Sequence, residues 1–341
     1  MLASRLSARV RNPRRNSPLG IPSLIAALLL ASSCSKSPTA PKPLPSGSGI
    51  VVADLTPTWS PDGRLIAFHR ASNSSAGPPG VYVVPASGGP IRYIAPGDAF
   101  WPRNLVFSPD SKQLAFCAGL QIYFADVQTA TWWLPFYAEN GANYPSWSPD
   151  GKSLLYTRVY TDTETWPIDS SGIHQLDLLT RQDQVLRADH IQSNGTDILF
   201  GLYPQWSPDG RTIAFLQGTD QGSRIVSVAS DGTSLRVLAT SPYGNVYDIP
   251  RRYMRPNRGI DGLAFAQTSG PASGSYFVGW NGTIPTRLTY SIHPHMAFSP
   301  DGEWEVTSDT SPIDSAVVLY VQRLDDPAGA TRRQLTFWAP P

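Results

Sequence analysis

The sequence predicts an all-β protein, a six-bladed β-propeller built from four-stranded antiparallel blades. Three observations lead to this prediction: a five-residue motif, Trp-Ser-Pro-Asp-Gly, recurs along the chain, its copies are spaced at intervals typical of propeller blades, and the composition is rich in turn-forming residues. Intact copies begin at Trp59, Trp147 and Trp206, and near copies begin at Phe107 and Phe298. A degenerate copy covers residues 257–262.

The motif has the chemistry of a tight turn. Pro fixes φ near the value required in a type I turn, Asp hydrogen-bonds backbone amides, and Gly accepts the positive φ that usually follows. The aromatic residue ahead of Ser-Pro is a large apolar wedge, best placed between packed sheets. A strand-like run follows each copy, as in Leu65-Ile66-Ala67-Phe68. We therefore interpret the motif as the hairpin between the first two strands of a repeated unit.

The spacing of the motif indicates propeller blades. Its Asp positions are 62, 110, 150, 209, 261 and 301, with steps of 48, 40, 59, 52 and 40 residues. Periods of about 40–50 residues with several strands each are typical of propellers. The predicted blades cover 50–97, 98–138, 139–190, 191–240, 241–289 and 290–338. In this phase the chain begins on an inner strand and ends on an outer one, so ring closure needs an extra pairing, for which residues 50–53 are the candidate.

Composition narrows the classes of function. The chain has 27 basic and 26 acidic residues and a formal charge of +1, so no global field draws it to nucleic acid or to anionic lipid. With 28 Gly, 33 Pro and only 16% charged residues, it resembles a loop-rich all-β protein rather than a helical one. It has no dinucleotide-binding fingerprint, no phosphate-binding loop and no Cys/His zinc spacing.

The N-terminal region predicts export and a lipid anchor. Five arginines within the first 15 residues precede an apolar stretch at 19–30, which ends in Ala31-Ser32-Ser33-Cys34. This pattern resembles a bacterial lipoprotein signal, which implies cleavage after residue 33 and lipidation of Cys34. Ser35 stands where lipoproteins that are retained in the inner membrane often have Asp, so the outer membrane is favoured. The alternative is an ordinary signal peptide with an incidental Cys. Residues 35–49, rich in Pro, Ser and Gly, are expected to be a tether. The other cysteine, Cys117, is predicted to be a small buried apolar group.

The repeat resembles the TolB-type propeller family. The resemblance is carried by Pro145 to Gly151, Pro204 to Gly210, Ile213-Ala214-Phe215, Ile122-Tyr123 and Leu335-Thr336, and it spans residues 50–338. It is specific for fold and poor for function, because such propellers serve as docking platforms, peptidase gates and sometimes enzymes. TolB itself has a separate N-terminal α/β domain, for which the segment between Cys34 and Trp59 has no room, so a role in envelope translocation is not simply inherited.

One candidate site is His293-Pro294-His295, directly before Phe298. Two His at i and i+2 on an extended segment point the same way and are able to share a metal. The stretch resembles the manganese-binding blade of oligogalacturonate lyases, which implies a Gln three residues earlier and a His from the preceding blade. Here that position is Tyr290, and blade five contains no His. The alternative is that both His line the mouth of the channel and hydrogen-bond their neighbours.

Two further groups are candidate binding residues. The first is a cluster of four cations within eight residues on a predicted loop: Arg251, Arg252, Arg255 and Arg258. Guanidinium groups are suited to binding the carboxylates of an acidic polysaccharide or of a protein partner. The alternative is that they form salt bridges within a solvated loop. Trp166, on an insertion in blade three, and one of the pair Trp132 and Trp133 are the candidate surface aromatics. Neighbouring strand residues face opposite sides, so only one of the pair is expected to be exposed.

The repeated Asp residues are interpreted as turn residues, too far apart to form a catalytic pair, and no Gly-x-Ser-x-Gly elbow is present. The favoured function is therefore a non-enzymatic, monomeric envelope lipoprotein without a cofactor. Its propeller lies in the periplasm or at the surface, touches the membrane only through its anchor, and binds a protein partner or glycan. The first alternative is a metal-dependent lyase acting on acidic oligosaccharides at His293 and His295. The second is a structural subunit of an envelope complex.

Overall fold

A computed structural model describes most of the region from Val52 to Phe337. The described ranges are 52–72, 77–96, 103–119, 121–138, 141–158, 172–188, 201–219, 222–240, 251–255, 260–267, 274–282, 284–289, 295–311, 316–326 and 329–337. Within these ranges the secondary structure is all β.

The strands follow one another in groups of four, each an antiparallel unit. The 24 strands are β1 (Val52–Trp59), β2 (Leu65–Ser72), β3 (Gly80–Pro85), β4 (Arg92–Pro96), β5 (Arg103–Phe107), β6 (Gln113–Ala118), β7 (Gln121–Asp126), β8 (Trp132–Trp133), β9 (Asn143–Trp147), β10 (Ser153–Arg158), β11 (Gly172–Asp177), β12 (Asp183–Ala188), β13 (Gly201–Trp206), β14 (Thr212–Thr219), β15 (Gly222–Ala229), β16 (Arg236–Thr240), β17 (Arg251–Arg255), β18 (Ile260–Gln267), β19 (Gly274–Gly279), β20 (Thr286–Thr289), β21 (Met296–Phe298), β22 (Trp304–Thr310), β23 (Val317–Arg323) and β24 (Arg333–Gln334). We number the resulting groups of strands as units one to six.

The sheet topology is that of a propeller, which confirms the predicted fold class. Units two to five each form a separate four-stranded sheet. Units one and six are joined in one eight-stranded sheet, because β1 pairs in parallel with β23 at Ala53 and Val317. This is the extra pairing that ring closure requires, and Ala53 lies in the segment from which it was expected.

Five copies of the motif form the predicted turn. In the first copy, the Gly63 amide donates to the Ser60 carbonyl at 2.9 Å, and Gly63 has a φ of 74°. The Ser side chain has a role that the sequence did not reveal. Ser60 Oγ donates to Asp62 Oδ1 at 2.6 Å and accepts from the Leu65 amide at 2.9 Å, so one hydroxyl joins the turn to the next strand. Equivalent pairs of bonds are centred on Ser108, Ser148, Ser207 and Ser299.

The aromatic residue of each motif packs between neighbouring units, as predicted. Trp147 of unit three lies 4.8 Å, centroid to centroid, from Phe124 of unit two. Trp206 shares a buried cluster with Leu155 and Ile173 of unit three. The core of the protein is therefore a series of interfaces between sheets, and the aromatic wedge is a shared part of them.

Unit five corrects one prediction. Asp261 and Gly262 were interpreted as a degenerate turn, but both lie on β18, where Asp261 pairs with Met254 and accepts a hydrogen bond from Trp280 Nε1 at 3.1 Å. β17 ends at Arg255 and β18 begins at Ile260, and these two residues pair across the strands. Asp261 was assigned to the turn although Gly259-Ile260 precedes it, where the other copies have Ser-Pro.

Candidate functional site

Four of the candidate residues lie outside the described residues: Cys34, Trp166, Arg258 and His293. The tether at 35–49 and Tyr290 do as well. For the other three arginines, the predicted loop is wrong. Arg251, Arg252 and Arg255 are not on a loop, because they belong to β17, the first strand of unit five.

The first strands of four units carry the same backbone irregularity. Three residues before each motif aromatic, the chain adopts a left-handed conformation with φ of 50–58°, in each case beside a register shift. The residues are Thr56, Asn104, Tyr144 and Tyr203. Such φ values are uncommon for residues other than Gly, and for a β-branched residue such as Thr they are outliers. In unit six the same position before Phe298 is occupied by His295.

His295 has a histidine neighbour that sequence reasoning did not assign to it. Its carbonyl accepts a hydrogen bond from the Ser308 amide at 3.0 Å, and its side chain is half-buried. Burial, together with the electrostatic influence of His295, lowers the pKa of His69 to about 3. His69 lies on β2 of unit one, only 2% exposed. The second imidazole near His295 therefore comes from the following unit in the ring, not from the preceding one.

Described residues do not gather three or more His, Cys, Asp or Glu side chains in an arrangement that would hold a metal ion. The described residues place two imidazoles, those of His69 and His295, near the first strand of unit six. The signal that brings them together is ring closure, which makes units one and six neighbours although they are far apart in sequence.

A polar network in unit three includes another histidine. His174 Nδ1 lies 3.2 Å from Asp183 Oδ2, and Arg158 Nη1 lies 3.5 Å from the same oxygen. Burial raises the pKa of Asp183, but hydrogen bonds from His174 and Tyr156 and the charge of Arg158 outweigh it and hold that pKa below its ordinary value. His174 is 2% exposed and its ring lies against Tyr156 at 5.3 Å. This arrangement stabilises a hairpin from within.

The repeated Asp residues behave as turn acceptors. A hydrogen bond from the preceding Ser hydroxyl lowers the pKa of Asp110, Asp150 and Asp209, and a backbone amide two residues further along also donates to each carboxylate. Carboxylates held ionised in separate turns are poorly suited to proton transfer near neutral pH. The geometry supports the interpretation of these residues as scaffold.

Exposed aromatic side chains concentrate at the outer edge of unit two. In β8, Trp132 is 46% exposed, whereas Trp133 packs against Phe124 with ring centroids 5.9 Å apart. One of the pair therefore faces outward, as the alternation predicted. The following residues add Leu134 and Tyr137, which are 39% and 73% exposed. We call residues 132–137 the rim segment.

The rim segment is held in place although it contains only two strand residues. The Gln121 side chain donates to the Ala138 carbonyl at 2.9 Å and accepts from the Ala138 amide at 3.0 Å, replacing a pair of strand hydrogen bonds. Phe136 packs on Tyr156 of unit three at 5.3 Å, and Arg181 of unit three donates to the Pro135 carbonyl. The exposed side chains therefore project from a segment fixed to two units.

Comparisons with known proteins show the fold. No protein-family model and no curated protein matches the sequence. Among solved structures, TolB from Acinetobacter baumannii superposes with a TM-score of 0.55 at 19% identity over 84% of this chain and 63% of that one. The chain thus spans less than two thirds of that protein's length. A protein assigned as TolB from Agrobacterium tumefaciens gives 0.53 at 21% identity, covering 80% of this chain and 90% of that one.

An enzyme also lies among the similar structures. Oligogalacturonate lyase from Vibrio parahaemolyticus superposes with a TM-score of 0.53 at 13% identity, over 86% of this chain and 82% of that one. Identities at this level establish shared architecture and leave activity open. No helix in the described part of the chain has the length and apolar character to cross a bilayer. The chain has a TolB-like β-propeller fold.

Proposed function

We propose that this protein is a non-enzymatic lipoprotein of the bacterial envelope, whose propeller is a binding platform for a protein partner or glycan. The observation that carries the proposal is the rim segment. Large exposed aromatic side chains on a fixed segment of a soluble domain are characteristic of interaction sites.

The rim segment suits a protein partner in its chemistry. Trp132 and Tyr137 combine wide apolar faces with a hydrogen-bonding tip, and Leu134 adds aliphatic surface. Because Gln121, Phe136 and Arg181 already hold the segment, little conformational entropy remains to be lost on binding. Leu179, which is 90% exposed, lies in the same turn of unit three as Arg181.

Site-specific photo-crosslinking in intact cells tests the platform. A photoreactive residue at position 137 should capture a defined protein, and Trp132→Ala in the same chain should reduce the yield at least about fivefold. The matched control is position 284, where Ile284 is 89% exposed in unit five. Equal capture from both positions, or no adduct from position 137, would contradict a protein-binding rim.

The lipid anchor has its own test. Cys34→Ser removes the acceptor of the lipid, so we expect the protein to move from the membrane fraction to the soluble envelope fraction. Ser35→Ala is the matched control, since it changes a neighbouring residue and keeps the anchor. Cys34→Ser protein that stays in the membrane fraction would refute lipidation at Cys34.

A second candidate, a metal-dependent lyase acting on acidic oligosaccharides, is favoured by one specific observation. His295 contributes, after burial, to the lowered pKa of His69 across the junction of units one and six, and His293 is two residues away from His295 in sequence. Fewer than three ligands are present among the described residues, so the fit to a metal is incomplete. Metal analysis of purified protein, followed by an ultraviolet assay for unsaturated uronate products, tests it. Stoichiometric manganese that is lost in His295→Ala would favour the enzyme over the platform.

A further inference from the structure

A groove lies at the junction of units one and six, on the face of the propeller that carries the Pro-Asp-Gly turns. It measures about 320 Å³, which equals about ten water molecules, and its lining residues all belong to the described part of the chain. The turns of the two units form its sides, with Pro61 and Asp62 on one and Pro300 and Asp301 on the other. Arg333 of unit six also lines the groove and donates to a backbone carbonyl of unit one at 2.6 Å.

Two indole rings distinguish this junction. Trp59 is the motif aromatic of unit one, and Trp304 begins β22, six residues after the motif aromatic of unit six. Smaller side chains begin the second strands of units one to four, where the equivalent residues are Leu65, Gln113, Ser153 and Thr212. Both indoles are partly buried and pack against the core that the two units share. Together with the prolines of the two turns, they give the groove apolar walls.

Two carboxylates, each with an open oxygen, flank these walls. In Asp62 and in Asp301, Oδ1 accepts hydrogen bonds from the Ser hydroxyl and a backbone amide of its own turn, whereas Oδ2 has no hydrogen-bond partner among the described residues. Arg64 and Arg323 influence these carboxylates electrostatically, but within the described ranges neither forms an ion pair with them. An aromatic groove beside carboxylate oxygens suits an apolar chain that carries a cation.

We propose that residues 38–45 of the tether dock in this groove. The segment reads Pro-Thr-Ala-Pro-Lys-Pro-Leu-Pro and contains no acidic residue. Proline-rich sequences favour the polyproline II helix, which binds aromatic-lined grooves with little loss of entropy. Because this helix has three residues per turn, Pro38, Pro41 and Leu44 share one edge, suited to the indoles. Lys42 lies on a neighbouring edge, suited to the carboxylates of Asp62 and Asp301.

The tether is long enough to make this contact within one chain. β1 begins at Val52 and ends at Trp59 in the groove, so the tether must return over seven residues of strand, about 23 Å. Ten residues lead from Lys42 to Val52, and they cover about 31 Å in the polyproline II conformation. Docking therefore needs no second copy of the chain. The inference goes beyond the proposed function and does not depend on the rim segment or on lipidation.

Photo-crosslinking within the purified full-length chain tests the inference. A photoreactive residue in place of Leu44 should form adducts with residues 59–64 or 299–304, which mass spectrometry of the digested protein locates. A photoreactive residue in place of Ser48 is the control. Only four residues separate that position from Val52, and they span about 14 Å at most, which is too short to reach the groove.

Variants of the tether identify the contact without changing the folded domain. Lys42→Glu should lower the yield of groove adducts about threefold, as expected for the loss of one exposed ion pair, and Lys42→Arg should preserve it. Asp301→Asn should act like Lys42→Glu, whereas Asp150→Asn, in the equivalent turn of unit three, should have no effect.

Groove adducts from position 44 that decrease in Lys42→Glu and persist in Lys42→Arg support the inference. Absence of groove adducts, or a yield unchanged in Lys42→Glu, overturns it. Adducts that join two chains also overturn it, because they assign the groove to a second copy. Partner capture at position 137 would survive each of these failures, so they would leave the protein-binding platform standing.

Discussion

Unit three and unit six use the same turn and differ in the residue behind it. In unit three the motif aromatic Trp147 pairs across the strands with Leu154, and in unit six Phe298 pairs with Glu305. The equivalent partners in units one, two and four are Ile66, Leu114 and Ile213, all 0% exposed. A carboxylic acid therefore occupies a core position that is aliphatic in four other units.

Glu305 is buried to the same degree as the residues it replaces, with 2% exposure. Gln322 on β23 donates to its Oε1, and within the described residues Oε2 has no hydrogen-bond partner. Burial raises the pKa of Glu305, and the hydrogen bond from Gln322 and the charge of Arg332 oppose that effect only in part. The turn therefore tolerates a polar core partner, at a cost in stability that unit three does not bear.

Moving the acid into unit three should have the largest effect. Leu154→Glu removes a fully buried aliphatic side chain and leaves a carboxylate without a partner, so we expect a loss of about 5 kcal/mol or more in the free energy of unfolding. Leu154→Gln, with the same shape and no charge, should lose less, and urea denaturation of both variants measures the difference. Equal losses of stability in the two variants would show that the charge of the carboxylate does not contribute to the destabilisation at position 154.

Removing the wedge itself should come next. Trp147→Ala deletes the indole that packs on Phe124, and we expect a loss of about 3–5 kcal/mol. Phe298→Ala in unit six should cost less, because its cross-strand partner is the acid and not an aliphatic side chain. Denaturant melts of the two variants measure this, and a loss below about 1 kcal/mol for Trp147→Ala would show that the aromatic residue does not stabilise the interface between units.

Neutralising the acid should stabilise the protein by a smaller amount. Because the folded pKa of Glu305 is raised, its favourable contribution is present below about pH 4 and is lost as pH rises through the folded pKa. Glu305→Gln keeps an acceptor for Gln322, so the variant should gain about 1–2 kcal/mol over the parent near neutral pH and little at pH 4. Unfolding curves across this range test it, and a gain independent of pH would rule out ionisation as the cause.

The smallest expected effect is in the turn. Ser148→Ala removes the bond to Asp150 at 2.7 Å and the bond from the Ser153 amide at 2.9 Å, for a loss of about 1 kcal/mol. Since Ser148 lowers the pKa of Asp150, the loss should be larger at pH 7 than at pH 3. Thermal melts measure the loss, with Ser87→Ala as the control, because the exposed Ser87 hydroxyl makes one long hydrogen bond, to the Gly88 carbonyl. An equal loss of stability in both variants would show that the Ser148 hydroxyl does not stabilise the turn.

Much of the fold was predictable because its signals are local. Pro, Asp and Gly specify a turn within five residues, and strand alternation correctly exposed one of Trp132 and Trp133. Where a signal was missing, the prediction failed: without Ser-Pro, Asp261 was assigned to a turn although it lies on β18. The strand that contains Arg251 was expected to be a loop for the same reason.

The candidate site was far less predictable. The neighbours of His295 depend on ring closure, since His69 comes from the opposite end of the domain, and no local pattern records which units meet. The rim segment is held by Gln121 on a strand and by Arg181 in a turn, and nothing in the local sequence of either residue indicates this contact.

The repeated unit, with its tight turn, aromatic wedge and alternating strands, is encoded locally, by residues a few positions apart along the chain. The packing of distant strands, by contrast, brings His69 under the electrostatic influence of His295 and buries the acid Glu305 beneath a motif aromatic. These two kinds of feature depend on interactions of different range along the chain. Turn and strand preferences act over a few residues, whereas burial, charge environment and cavity shape arise only when distant strands are packed into one ring.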